Sequence, residues 1–328
     1  MIGFHASHEQ FPPALLLQLS RHALQVGFDG LMCSDHFHPW TPAQGHAGHA
    51  WTWAGAAAAG LESTLGMVTC PMIRQHPTQV AQAAATVDQF APGRFWMAVG
   101  TGEALNERVV GAGWGAKDAR RAALEEAVQV MRALWAGAKV EHDGHFQVRG
   151  ARLYTRPALP IPVIGAALTP ETARWLAGWA DGLITVSQPI DALREVVQAF
   201  EDGGGRGKPM YLQVKLSYAR SEQAALDGAM TQWRANALPP DVVADLDQPE
   251  AFEARAHEVD EADLRRQVCV SADPDQHVQW LRTFQSLGFQ RLYLHNVNVE
   301  QQRFIDDFGA RVLPALRGQG GSGAAALV

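Results

Sequence analysis

The sequence predicts a single (β/α)8 barrel, and three observations carry that prediction. Short β-branched or apolar runs alternate with amphipathic stretches from one end to the other, the βαβα order that implies a parallel sheet. The runs number eight, one for each strand of a closed barrel. The 328 residues exceed an average domain, yet they fall within the span that one such barrel with insertions uses.

Taken in order, the strand runs are Ile2 to Ser7, Gly30 to Asp35, Thr64 to Thr69, Arg94 to Gly100, Ile161 to Ala167, Gly182 to Ser187, Met210 to Ala219 and Gln290 to Val297. Most are short and largely apolar, as strands buried on both faces are. Helical periodicity fills the gaps: Pro13 to Val26, Trp51 to Gly60, Pro77 to Phe90, Asp118 to Trp135, Pro170 to Trp179, Ile190 to Glu201, Glu222 to Asn236 and Asp275 to Leu287, with Gln301 to Leu316 closing the chain. Pro13, Pro77 and Pro170 stand at first helical positions, where a missing N–H costs nothing, and Thr169 is placed to cap the third of these helices. Gly27 and Gly288 end helices in the left-handed conformation. Two connections are too long for a plain barrel. Residues 137–160 contain a hairpin-like VEHDGHFQV with Asp143-Gly144 at its turn, and residues 238–272 are acidic and carry prolines. Both are expected as insertions over the barrel mouth, so residues 1–317 form one domain and the low-complexity 318–328 a disordered tail.

Composition removes several classes of function. With 27 basic and 34 acidic residues, a net charge of −7 and no long like-charge run, the chain has no electrostatic footprint for nucleic acid or an anionic membrane. No apolar stretch approaches the roughly 18 residues of a membrane span, and no secretory signal follows Met1, so a cytoplasmic protein is expected. Cys33, Cys70 and Cys269 are too few and too far apart for a disulfide framework.

Chemistry in this fold sits at the carboxyl ends of the strands. There the chain reads His5-Ala-Ser7-His8-Glu9, then SDHFHPW from Ser34, then Thr69-Cys70-Pro71, then GTGEALNE from Gly100. SDHFHPW sets an acid, two imidazoles and an indole just past a buried strand; an imidazole is the usual group for moving a proton near neutral pH, and a neighbouring carboxylate raises its basicity. The alternative is a capped loop with Asp35 on backbone amides. GTGEALNE opens a helix, with glycines that allow close approach of a planar or anionic ligand, Thr101 to bond it, and Glu103 and Asn106 on one face. An ordinary glycine turn would read the same. A metal site on His36 and His38 would need further ligands after strands five and six, where Gly165-Ala-Ala and Ser187-Gln188 offer none. Trp40, Trp51 and Trp53 are candidates for an exposed stacking surface, and Trp96 for packing.

At these residues the sequence resembles the luciferase-like flavin-dependent oxidoreductases, within the group that contains the coenzyme F-420-dependent glucose-6-phosphate dehydrogenases. HASHEQF, SDHFHPW, VTCP-x-x-R-x-HP, AQAAATVDQFAPGRF and GTGEALNE carry the likeness, which extends over about residues 1–317. Passages such as MCSDHF and KPMYLQVKLSYA look most like the branch that uses ordinary flavin, so FMN is the expected cofactor and coenzyme F-420 the alternative. The resemblance implies that His36 is the base taking the substrate hydroxyl proton, that Trp40 lines the reacting centre and that Glu103 is a proton donor or stabiliser at the ring. It implies cofactor contacts from Asp35, Thr101, Gly102, Asn106, Ala166 and Ala167, and a non-prolyl cis peptide beneath the ring at Met67-Val68. Hydride transfer with a small alcohol or sugar-like substrate is the expected activity. A reduced-flavin monooxygenase fed by a flavin reductase and a non-catalytic flavin-binding protein are the alternatives, and a homodimer is the expected assembly. Two departures bear on the substrate: Pro189, after Ser187-Gln188, replaces a phosphate-binding lysine of the sugar-phosphate enzymes, leaving Arg266 near the place of another such lysine, and Leu168-Thr169 replaces a glycine pair near the cofactor's tail.

Overall fold

The computed structural model describes residues 1–318, so all but the first residue of the expected tail lies outside the described residues. The first half runs β1 (Ile2–Ala6), α1 (Pro13–Val26), β2 (Gly30–Ser34), α2 (Ala50–Gly60), β3 (Thr64–Thr69), α3 (Pro77–Phe90), β4 (Phe95–Val99), α4 (Ala104–Glu107) and α5 (Lys117–Trp135). A hairpin, β5 (Val140–Asp143) and β6 (Gln147–Ala151), leads to β7 (Val163–Ala166), α6 (Pro170–Leu176), β8 (Gly182–Val186), α7 (Ile190–Phe200), β9 (Met210–Ser217) and α8 (Glu222–Trp233). Then come α9 (Pro240–Asp245), α10 (Pro249–Ala256), α11 (Glu261–Gln267), β10 (Cys269–Val270), α12 (Pro274–Ser286), β11 (Arg291–Asn296), α13 (Gln301–Asp307) and α14 (Leu313–Arg317).

Strands β9, β11, β1, β2, β3, β4, β7 and β8 pair in parallel, and β8 returns to β9 to close an eight-stranded barrel. Helices wrap its outside. Where helix limits were read from proline and glycine they hold: Thr169 Oγ1 accepts from the Thr172 N–H, and Gly27 takes φ 111°. The closing helix breaks at a π-turn over 308–312 just before Pro314, which lacks an N–H and crowds the carbonyl one turn back.

Inside the barrel, Met32, Trp96, Ile164, Ile184, Tyr211 and Tyr293 pack into a buried plug, with Trp96 Nε1 donating to the Tyr293 hydroxyl at 3.1 Å. Trp96 thus packs, as expected. Gly66 makes room for it, since a Cβ there would fall 2.0 Å from the indole. Above the plug the strand ends stay open. Val68, Gly100, Ala166, Val186, Gln213 and Lys215 are half-buried where the strand interiors are otherwise largely closed.

The two insertions part company. Residues 238–272, expected as an insertion over the mouth, form α9 to α11 there, joining Trp40, Leu105, Trp233, Phe252 and Leu264 in a second small core. Residues 137–160 were expected over the mouth too, but their contacts hold them to the outer helical wall. Glu126 of α5 accepts from the His142 and His145 rings and the His145 N–H, and residues 156 and 158 tie back to Gln89 and Asp88 at the end of α3. No helix of the described residues is long and apolar enough to cross a membrane.

Candidate active site

The loop after β1 and the loop after β2 meet at the barrel mouth, and the result is an ion pair. His36 Nδ1 lies 2.5 Å from Glu9 Oε1, while the Ser7 hydroxyl donates to Glu9 Oε2 at 2.8 Å. Burial alone would lower the imidazole's pKa, but the charge and hydrogen bond of Glu9 overcome it and raise His36 to about 9. The reverse holds for Glu9: burial works to raise it, and His36 keeps it well below the usual carboxylate range. The pairing with Glu9 thus favours the imidazolium form of His36. With Nδ1 occupied, Nε2 is the nitrogen left for a substrate. Trp40 stands edge-on to the His36 ring at 5.3 Å and is itself backed by Phe252 at 5.5 Å.

Asp35 is built into the wall. Its carboxylate accepts from Thr69 Oγ1 at 2.8 Å and Gln75 Nε2 at 2.6 Å, and Arg74 Nη2 lies 3.0 Å from its other oxygen. Arg74 also reaches the Asp35 carbonyl and gives its backbone N–H to Glu107. Asp35, Arg74 and Glu107 are all buried, and burial pushes Glu107 up to about 7. Asn106 is a latch: its Oδ1 accepts the Phe37 and His38 N–H groups, and the His38 ring bonds the Leu105 carbonyl. The loop after β2 is thereby fixed to the segment after β4.

Thr101 and Glu103 lie half-buried at the mouth, and Glu103 makes no capping bond. Gly102 has φ 72°, and a Cβ there would meet Glu107 and Cys70 inside 3.0 Å, so glycine is required by packing as well as by the turn. Val68 and Ala166 face the barrel interior. Their neighbours Met67 and Ala167 face the core between strands and helices, because successive residues of a strand alternate sides; these two side chains do not reach the mouth. Among the described residues no peptide bond is cis, so the feature implied at Met67-Val68 is not there. Nor do Trp51 and Trp53 offer an exposed surface: α2 is apolar on all sides and buries both, Trp51 against Phe95 and Trp53 against His8.

Glu9, Arg74 and Lys215 are the members that sequence reasoning missed. All stand on or just past a strand end, which was the available signal. What no local pattern revealed was the pairing, since Glu9 and His36 are 27 positions apart.

One half of the cleft is apolar and shallow, with Val68, Gly100 and Ala166; a Cβ on Gly100 would touch only Ala166, at 3.5 Å. The other half holds His5, His295, Gln213 and Lys215. A row of small residues beside a buried imidazole–carboxylate pair leaves room for a planar ligand. A shallow cleft of about 310 Å³ by Glu62 and Arg94 lies at the opposite end of the barrel, away from these groups.

A closed parallel barrel that gathers a buried imidazole–carboxylate pair and a row of small residues at its strand ends has the build of a barrel enzyme. The luciferase-like monooxygenase family profile matches residues 2–291, and the chain belongs to that family. It is 36% identical to the F-420-dependent glucose-6-phosphate dehydrogenase of Nakamurella multipartita over 98% of both chains. To the enzyme of the same name from Intrasporangium calvum it is 38% identical, over 97% of this chain and 99% of that one. Among solved structures, an F-420-dependent secondary alcohol dehydrogenase holding an F-420-acetone adduct superposes with a TM-score of 0.91 at 29% identity, covering 97% of this chain and 99% of that one. The coenzyme F-420-dependent tetrahydromethanopterin reductase of Methanopyrus kandleri, at 19% identity and a TM-score of 0.78 over 96% of this chain and 99% of that one, shares the fold. These relatives lend the expected FMN no support.

Proposed function

We propose that the chain is an F-420-dependent alcohol dehydrogenase that moves a hydride between the deazaflavin and the carbinol carbon of a small organic substrate. The His36–Glu9 pair beside the apolar wall carries this reading, and the names of the relatives support it. When bound, the deazaflavin supplies the carbon that accepts or returns the hydride; Val68, Gly100 and Ala166 would hold its ring. The neutral form of His36 would take the hydroxyl proton at Nε2 as the hydride leaves the carbinol carbon, and the imidazolium would give it back in carbonyl reduction. Trp40 and the roof over it keep water from the reacting carbon. Dissociation constants by fluorescence quenching test the cofactor: submicromolar F-420 and much weaker FMN are expected, and the opposite order would overturn the assignment.

Glucose 6-phosphate is not expected to be oxidised. Arg266 is exposed and paired with Asp263, and Gln188 bonds the Leu168 carbonyl, so neither builds a cation cluster at the mouth. Saturable F-420 reduction by that sugar phosphate would show the reverse. We further read the protein as cytoplasmic and as a homodimer, the second of which light scattering on purified protein checks.

Because His36 rests protonated, alcohol oxidation is expected to rise with pH up to about 9, while carbonyl reduction is full below that point and falls above it. Glu9→Gln removes the charge that raises the imidazole and leaves burial to lower it. The midpoint of both profiles then moves down by roughly two units. An unshifted profile would mean that another group governs it.

A further inference from the structure

Most charged groups of the cleft have a partner within ion-pair distance: Glu9 has His36, and Asp35 and Glu107 share Arg74. Across from them, at the carboxyl end of β9, Lys215 is half-buried with its Nζ 5.7 Å from the Trp233 ring centroid. Among the described residues no carboxylate lies within ion-pair distance of this ammonium. Glu103, from the β4 side, is the carboxylate that favours its charge, yet burial prevails and brings Lys215 down to about 8.

The groups around it are held neutral. Lys215 is in register with His295, whose ring lies 4.5 Å from that of His5. Gln10 gives its amide N–H groups to the Val297 carbonyl and to Gln232, so its Oε1 accepts from His295 Nε2 at 3.0 Å. His295 Nδ1 is then a lone pair, and it accepts from Gln213 Nε2 at 3.1 Å; the same amide reaches His5 Nε2 at 3.4 Å. Burial lowers His5 to about 4 and holds His295 well below the usual imidazole range. Lys215 is thus a cation without an ion-pair partner among the described residues, set beside neutral polar side chains and an indole, with Glu103 acting on it from the β4 side. One ammonium matches one monoanion, since a phosphate dianion would call for a second cation.

Resting on the dehydrogenase reading, we propose that Lys215 anchors a carboxylate borne by the substrate, which makes that substrate a short-chain hydroxy acid. The carboxylate sits at Lys215 Nζ while the carbinol lies under His36 Nε2, so chain length sets which hydroxy acid fits.

The test uses hydroxy acids from lactate to 5-hydroxyhexanoate and the neutral alcohol matching each. Binding to the cofactor-free protein is measured by ligand-observed NMR, and F-420 reduction by absorbance. At least one hydroxy acid should bind more tightly than its neutral match, and Lys215→Met should weaken it by about 30-fold or more, while Lys215→Arg retains most of the affinity. Removing a half-buried charge spares the fold, and melting temperatures verify that. Equal binding of acids and neutral alcohols, or a preference that survives in Lys215→Met, overturns the anchor. If the carboxylate preference depends on Lys215 but no acid reduces F-420, the dehydrogenase reading falls and the anchor stands. If neutral alcohols reduce F-420 as well as the acids do, in wild type and Lys215→Met alike, the anchor falls and the dehydrogenase reading stands.

Discussion

His36→Ala lowers the rate of substrate-linked hydride transfer by roughly 10²- to 10⁴-fold and leaves cofactor affinity within a few-fold. The size follows from the geometry. His36 is the one imidazole in the cleft raised to about 9, whereas burial lowers His5 and His8 to about 4. Removing it strands Glu9, a buried carboxylate whose remaining side-chain donor is Ser7. The double variant His36→Ala with Glu9→Gln should recover folding stability but not rate. That separates a proton-transfer role from a scaffold role, because loss of scaffold would be repaired by the second change. Single-turnover reduction rates and melting temperatures decide between them, and an unchanged rate in folded His36→Ala would remove it from the chemistry.

The largest stability effect is expected at Arg74. In Arg74→Met, Asp35 and Glu107 both remain buried without a cation, and breaking such an arrangement costs about 3–5 kcal/mol. Urea denaturation measures it. Replacing Asp35 with Asn in the Arg74→Met background should restore part of the loss by removing the stranded charge. A loss under about 1 kcal/mol would mean that the trio behaves as a surface pair does. Since Arg74 also grips the Asp35 carbonyl, the variant should loosen the loop that carries His36, and weaken activity as well as folding.

Period-based reading recovered all eight barrel strands because each is buried on both faces, and a helix start such as Pro13 or Pro77 is a local event written in one residue. The short helices α9 to α11 escaped because their stability is tertiary: Phe252 is held by Trp40, more than two hundred positions away. Local marks were there all the same, in Pro249 at a first helical position and in the reciprocal cap between Asp260 and Asp263. At the site, His36 and Glu103 were legible as polar residues past strand ends. Parity would also have separated Val68 from Met67 and Ala166 from Ala167, since only one of each adjacent pair can face inward. What stayed hidden was mutual engagement. No spacing rule states that Glu9 charges His36, or that Asp35 spends its oxygens on Thr69, Gln75 and Arg74.

The plug of Trp96, Tyr211 and Tyr293 makes the chamber blind. Two ligands that react in a chamber with one doorway cannot pass each other, so the order of arrival is dictated by depth. Whichever partner occupies the inner position must enter first and leave last, and exchange at that position stalls whenever the outer one is in place. On the proposed reading, ordered addition of cofactor and substrate is the expected kinetic pattern, with both arriving from the end of the barrel that the plug leaves open.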